Sequence, residues 1–328
     1  MKNGYWVAII FLFMGLFNMS YCKQDENLKN DNKVFFYDIN DVLVEEKIEL
    51  MNGLRFLYKN SLGGFCRKIV KKGWVSSAYG WFNKTIFSKS KIKRYIKKYN
   101  INMDHFQSPP NGKYKSFNDF FTRKLKPGAR DIDFDSHSII APADSKMLAF
   151  SEVSQGVRFF VKSKPFELET FLQNKELADR YQNGTLLIFR LAPCDYHRYH
   201  FPLDCVPSIV RKIDGQYDSV NPIVFRAGNQ PLQTNKRNLT ILKTKQCSDV
   251  VMVAVGAMFI GTIIETYKPE VSNKKGEEVG YFAVGGSTIV LLFEKGKIKV
   301  DQKVLDRSKE NYETEVKMGQ PVAKIVTF

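Results

Sequence analysis

The chain lacks several familiar signatures. It has no Cys-x-x-Cys pair, no glycine fingerprint of a Rossmann or phosphate-loop site, and no internal repeat. Nucleotide binding through either loop is therefore excluded. Its five cysteines (Cys22, Cys66, Cys194, Cys205, Cys247) are odd in number and irregularly spaced. That argues against a disulfide framework, although one Cys194–Cys205 bridge stays open in an oxidising compartment. Long apolar runs are also scarce at the N-terminus. The stretch Tyr5–Phe17 is shorter than the roughly 20 residues of a spanning helix. One lysine precedes it and small Ser20 and Cys22 follow. Residues 1–22 read as a signal peptide or a retained membrane anchor, with a buried helix as the bland alternative.

Acidic residues are absent from Leu50 to Met103, a stretch with 13 lysines and arginines. The whole chain carries a formal +16, so everything else contributes only +3. The basic partner surface is a segment, and its partner is anionic. Aromatic residues (Trp74, Tyr79, Trp81, Phe82, Phe87) alternate there with lysines. In "SKSKIKRYIKKYNIN", Ile92, Tyr95, Ile96 and Tyr99 form one helical stripe, with Lys93, Arg94, Lys97 and Lys98 around it. Such a face suits an anionic membrane surface, with Trp74 and Trp81 as anchors; a merely solvated helical subdomain is the alternative. No nucleic-acid motif accompanies it.

Residues 23–33 are a polar linker. The stretch Asp38–Asn60 has caps and helical spacing, so 34–103 is expected to be a basic, aromatic-rich helical region. From Asp104 the texture changes to short β-rich runs punctuated by proline and glycine, with one helical stretch in "FELETFLQNKELADRYQNG". The expected fold class is α+β: a mainly antiparallel catalytic domain over 104–328, behind an N-terminal basic helical membrane-binding region.

Three stretches could carry chemistry. Only four histidines occur, and two of them, His197 and His200, fall beside Asp195 in "RLAPCDYHRYHFPLD". Imidazole changes charge near neutral pH, so acid/base work is the leading reading. Cys194, Asp195, His197, His200 and Cys205 make no recognised zinc spacing, and histidines in a surface turn remain the plain alternative. Asp144 in "APADSKM" is a second candidate, or simply a turn former. The third is "VGYFAVGGSTIVLLFEKG", where Gly285, Gly286 and Ser287 interrupt an apolar strand. Glycine weakens a strand interior, so the backbone there has some other use. A serine hydroxyl can attack the carbonyl of its own preceding residue. A glycine before it permits the distorted backbone, and a base must take the proton.

Together these stretches, with "FNDFFTRKLKPGARDID", "GQYDSVNP" and "VGAMFIGTI", resemble the phosphatidylserine decarboxylases, pyruvoyl-dependent self-cleaving proenzymes. The likeness runs from about Trp74 to the C-terminus. It implies cleavage between Gly286 and Ser287, giving a β chain that ends at Gly286 and an α chain of 287–328. Ser287 would become the pyruvoyl group that forms a Schiff base with phosphatidylserine, as electron sink for loss of carbon dioxide. No external cofactor and no metal are implied. Asp144 and His200 match the pair that activates Ser287, with Asp144 orienting or charging the imidazole. His197 matches a proton donor of the decarboxylation, and Asp195 supports the loop. Partners would be phosphatidylserine, an anionic membrane, the chain's own two fragments and a second processed unit in a homodimer; no nucleic acid is expected. The N-terminal segment favours the secretory pathway and endoplasmic reticulum over a mitochondrial inner membrane. Ser145, Cys205 and Gly285 depart from the family pattern; Gly285 adds backbone freedom at the scissile site. A serine hydrolase acting on lipid esters and an inactive membrane scaffold are the competing readings.

Overall fold

The computed structural model describes residues 33–46, 48, 51–153, 158–159, 165–258, 262–284 and 287–327. The apolar N-terminal run, nearly all of the polar linker, and Gly285 and Gly286 lie outside the described residues.

The chain begins with a hairpin, β1 (Phe35–Tyr37) and β2 (Leu43–Glu45). Helices α1 (Met51–Lys59), α2 (Ser61–Val70), α3 (Gly73–Lys84), α4 (Ser90–Tyr99) and the short α5 (Phe117–Phe121) follow. Next come β3 (Ser138–Ile140), β4 (Ser145–Phe150), α6 (Leu168–Leu172), α7 (Lys175–Tyr181), β5 (Thr185–Leu191) and β6 (Arg198–His200). Then β7 (Val206–Pro207), β8 (Arg211–Ile213), α8 (Pro222–Arg226), α9 (Pro231–Thr234), β9 (Arg237–Lys243) and β10 (Val250–Val255) follow. The last elements are β11 (Ile263–Glu265), β12 (Glu278–Phe282), β13 (Ser287–Phe293), β14 (Ile298–Val300), α10 (Gln302–Lys309), β15 (Glu313–Val316) and β16 (Pro321–Ile325).

The fold is α+β and mostly antiparallel, as expected. Among the described residues the main sheet has the order β2-β1-β15-β4-β5-β13-β10-β9-β7, with β8 also on β9. Two three-stranded sheets, β11-β12-β6 and β14-β16-β3, cover one face. Their Tyr199, Phe282, Val322 and Ile325 meet Phe189, Leu191, Ile289 and Leu291 of the main sheet in one buried cluster. On the opposite face, Phe171, Leu172 and Tyr181 of α6 and α7 meet Ile188, Val253 and Val290. Both faces of β5, β10 and β13 are thus buried, which is why they read as continuous apolar runs rather than alternating ones. Each such Leu, Ile or Phe contributes about 1.5–3 kcal/mol on burial.

One expectation needs correction, and one open question is answered. Residues 38–46 are not helical: they carry the turn and second strand of the hairpin, and β1 runs parallel to β15, with Phe36 opposite Glu313. The Asp38 carboxylate accepts the Asn40 and Val42 N–H groups, and Asp41 takes φ 64°, so a side-chain-capped turn replaces the helix start. The basic helical region proper therefore runs from Met51. The open question concerned Cys194 and Cys205, and both are free thiols. Cys194 lies beside the Asp195 carboxylate, while Cys205 bridges by its backbone to Asn273.

The stripe on α4 is as expected. Ile92 and Tyr95 are buried, Ile96 and Tyr99 half-buried, and Lys93, Arg94, Lys97 and Lys98 exposed. Trp74 and Trp81 keep 44% and 69% of their surface exposed, and Phe65 and Phe87 are exposed too. No described helix is long and apolar enough to cross a membrane.

Candidate active site

Ser287 opens β13. It pairs with Leu191, the last residue of β5, and Thr288 next to it pairs with Val255 of β10. The Ser287 side chain is fully buried, and its hydroxyl has no hydrogen-bond partner among the described residues. Leaving a buried hydroxyl unsatisfied costs about 1–3 kcal/mol. Ser76 and Thr314 also hold such a hydroxyl, but that of Ser287 alone among the three follows the glycine pair and heads a central strand.

The strand before Ser287 in sequence, β12, pairs with β6 and brings both histidines alongside. The His197 carbonyl accepts the Phe282 N–H at 3.0 Å. His197 is fully buried; its Nδ1 lies 2.9 Å from the Asp195 carbonyl, and its ring packs on Phe121 with centroids 4.0 Å apart. A carbonyl only accepts, so Nδ1 carries a proton and donates it there. The Asp195 carboxylate is held by Lys146 Nζ (2.9 and 3.0 Å) and by the Ala192 N–H (2.8 Å). It fixes the β5–β6 connection, in keeping with a supporting place.

His200 sits at the end of β6 rather than in a loop. Its Nδ1 donates to the Gly276 carbonyl at 2.9 Å, and Nε2 faces the Tyr196 hydroxyl at 3.1 Å. Gly276 has φ 84°, and a Cβ there would lie 2.8 Å from Ile132 Cδ1, so glycine is needed to present that carbonyl. Burial lowers the His200 pKa below its ordinary 6.5, and the Gly276 carbonyl and the Asp144 charge only partly offset this. The imidazole is therefore neutral at pH 7, with a basic Nε2.

Asp144 is buried, immediately before β4. Its carboxylate bonds Arg130 and the Met318 N–H, so of the two roles open to it, its charge and not a hydrogen bond reaches His200. Arg130 grips both carboxylate oxygens (Nε–Oδ1 3.0 Å, Nη2–Oδ2 2.5 Å), and the Met318 N–H donates at 3.0 Å. A guanidinium fork matches a carboxylate better than an imidazole does, which accounts for the choice. Burial pushes the Asp144 carboxyl up, but Arg130 more than reverses this and holds it below its ordinary value. The pair Asp144–Arg130, with Tyr196 and Lys146, forms the part of the site that sequence reasoning missed. Arg130 lies inside the quoted "KPGARDID", yet nothing in a sequence says which buried acid it will meet. No three His, Cys, Asp or Glu side chains converge as a metal site among the described residues.

One further layer surrounds β13. Arg190, opposite Thr288, is buried between Glu313 (Nε–Oε1 2.8 Å) and Glu46 (Nη1–Oε1 3.0 Å). The two glutamates come from β15 and from just beyond the N-terminal hairpin.

The sequence model of the phosphatidylserine decarboxylase family matches residues 117–324. That span holds Asp144, Asp195, His197, His200 and Ser287. The chain belongs to the phosphatidylserine decarboxylase family. It is thus an enzyme of a carboxy-lyase family. A phosphatidylserine decarboxylase proenzyme of Fusobacterium nucleatum is 42% identical over 276 residues, covering 84% of this chain and 92% of the relative. Those of Clostridium novyi and Chlamydia pneumoniae are 39% and 38% identical, covering 89% and 86% of this chain and 97% and 93% of theirs. These relatives are bacterial, so they lend no support to the endoplasmic reticulum as the location.

Proposed function

We propose that this protein decarboxylates phosphatidylserine to phosphatidylethanolamine at a membrane surface, using a pyruvoyl group made from its own Ser287. The buried, unpartnered Ser287 hydroxyl at the head of a strand locked on both edges carries this reading. Ser287 Oγ attacks the Gly286 carbonyl carbon, and the peptide C–N bond gives way to an ester. Removal of the Ser287 Cα proton then expels the upstream chain as a carboxylate. The resulting enamine takes up water and loses ammonia, leaving the ketone at the new N-terminus.

His200 is assigned the hydroxyl proton, because burial keeps it neutral with Nε2 as acceptor. Asp144, charged and fixed by Arg130, raises that nitrogen's affinity for the proton. The pyruvoyl group supplies the electron sink when the lipid amine is bound. His197, with Nδ1–H held by the Asp195 carbonyl, is assigned to take up a second proton on Nε2 and deliver it to the substrate carbon after carbon dioxide leaves, returning to the neutral ring.

Both fragments stay together because the ladders cross the cut. β13 lies between β5 and β10, and β15 between β1 and β4. The exposed Trp81, Phe87 and Phe65, with Lys93, Arg94, Lys97 and Lys98, form the docking face for anionic lipid. Processed units associate as a homodimer in this reading, which light scattering checks.

The test is a gel of purified wild-type and Ser287→Ala protein. Wild type separates into two chains cut before residue 287 and releases carbon dioxide from phosphatidylserine. Ser287→Ala stays whole and inactive. An uncut wild type that releases fatty acid instead of carbon dioxide points to a serine hydrolase, and an uncut wild type that still releases carbon dioxide overturns the pyruvoyl route.

A further inference from the structure

The short segment Phe117–Arg123 touches both halves of the site. Asn118 Oδ1 accepts the backbone N–H of Val284 at 3.3 Å, three residues before Ser287. The Val284 side chain is buried in the aromatic cluster of Ile92, Tyr95, Phe117, Phe120 and Phe121. At the other end, Phe121 lies against the His197 ring, with centroids 4.0 Å apart. Arg123 Nη2 donates to the carbonyls of Cys194 (3.3 Å) and Asp195 (3.4 Å). The Asp195 carbonyl is the one that fixes His197 Nδ1. The guanidinium is itself held between the Phe106 and Phe120 rings, at 4.3 and 4.8 Å.

We propose that Asn118 is a positioning residue for self-cleavage, and that Phe121 and Arg123 are positioning residues for His197. This rests on the self-cleavage reading above. The two residues after Val284 in sequence are Gly285 and Gly286, which restrict backbone torsions least of all residues. Intramolecular attack needs the carbonyl ordered near the hydroxyl, and every unrestricted torsion lowers the rate. Sequence alone gives that ordering no source; the Asn118 tether and the packing of Val284 supply one, just upstream of the glycines. The second arm works on a different step. Without Phe121 and Arg123 the imidazole loses its stacking partner and the anchor of its Nδ1 acceptor. Proton delivery then suffers, whereas the acyl carbonyl does not move.

The two arms make opposite predictions. Processing is followed on gels after cell-free synthesis, and turnover is measured per processed molecule with phosphatidylserine in detergent micelles. Asn118→Leu, which removes the acceptor, slows processing about tenfold, more than it slows turnover. Asn118→Asp, which keeps an oxygen acceptor, recovers most of the processing rate. Phe121→Leu and Arg123→Lys lower kcat about tenfold with KM within about twofold, and slow processing less than that. Two variants at the His197 arm keep this readable should Arg123→Lys fold poorly. Equal losses in both rates for all variants would mean a merely structural helix and overturn the proposal. So would processing of Asn118→Leu at the wild-type rate while wild type itself is cut. An uncut wild type overturns the self-cleavage reading, and this inference with it.

Discussion

In the main sheet, the apolar side chains of β13 are hidden and the charges around it are paired: Arg190 with Glu46 and Glu313, Lys146 with Asp195. In the helical flank the arrangement is reversed. Trp81 and Phe87 keep 69% and 78% of their surface exposed, next to lysines that face solvent. The same residue types serve two solvents. The sheet makes a dry interior, where an unpartnered hydroxyl such as that of Ser287 is costly. The flank leaves aromatic and basic groups where a headgroup layer could receive them. The regions meet at Val284, packed among the side chains of α4 and α5, at Met258, packed on Leu57 and Val70 of α1 and α2, and through hydrogen bonds such as Tyr58–Asp218 and Arg67–Asn229.

The difference can be broken first on the sheet side. Glu313→Gln removes one charge of a buried cluster and leaves Arg190 half-paired. A loss of about 3–5 kcal/mol is expected, read as a lower urea midpoint in the uncleavable Ser287→Ala background. A midpoint unchanged within error would show that the cluster is not part of what holds the strands. Next, Asp144→Asn keeps an acceptor for the Met318 N–H but strands Arg130 and withdraws the charge near His200. Processing should slow roughly 100-fold or more. An unaffected rate would remove Asp144 from the reaction.

On the flank side the effects are smaller. Lys97→Gln with Lys98→Gln should weaken binding to phosphatidylserine vesicles by about 1 kcal/mol per lysine at low salt, roughly 30-fold together, with processing intact. Equal binding by wild type and variant would mean the face is only solvated. The mildest effect concerns pH. The folded His200 pKa lies below its ordinary 6.5, so in the window between the two values the unfolded chain binds more protons. His200 thus contributes stability above 6.5 that is lost as pH falls toward the folded value. His200→Gln in the Ser287→Ala background should flatten the melting temperature over that window. A slope identical to that of the histidine protein would contradict the assignment.

The strands were legible because both their faces are buried, which turns β5, β10 and β13 into apolar runs that no loop would carry. The stripe on α4 was legible from its period. The β1–β2 hairpin was not. Its strands are three residues each, and β1 finds its partner in β15, near the other end of the chain. Local spacing around Asp38–Asn60 therefore pointed to a helix, and tertiary pairing overrode it. In the site, the rare histidines, Asp144 and the glycine-flanked serine stood out by residue type and context. What each of them bonds did not. Asp144 with Arg130, His200 with Tyr196 and Gly276, and Asp195 with Lys146 are matches made by the fold between distant residues. Whether Cys194 and Cys205 pair was open in the sequence for the same reason, and the fold leaves both thiols free.

Intact mass spectrometry of the purified, active protein tests the central claim most directly. The account predicts a small C-terminal chain covering residues 287–328 whose first residue has the mass of a pyruvoyl group in place of serine. A single full-length species from protein that releases carbon dioxide from phosphatidylserine would contradict it.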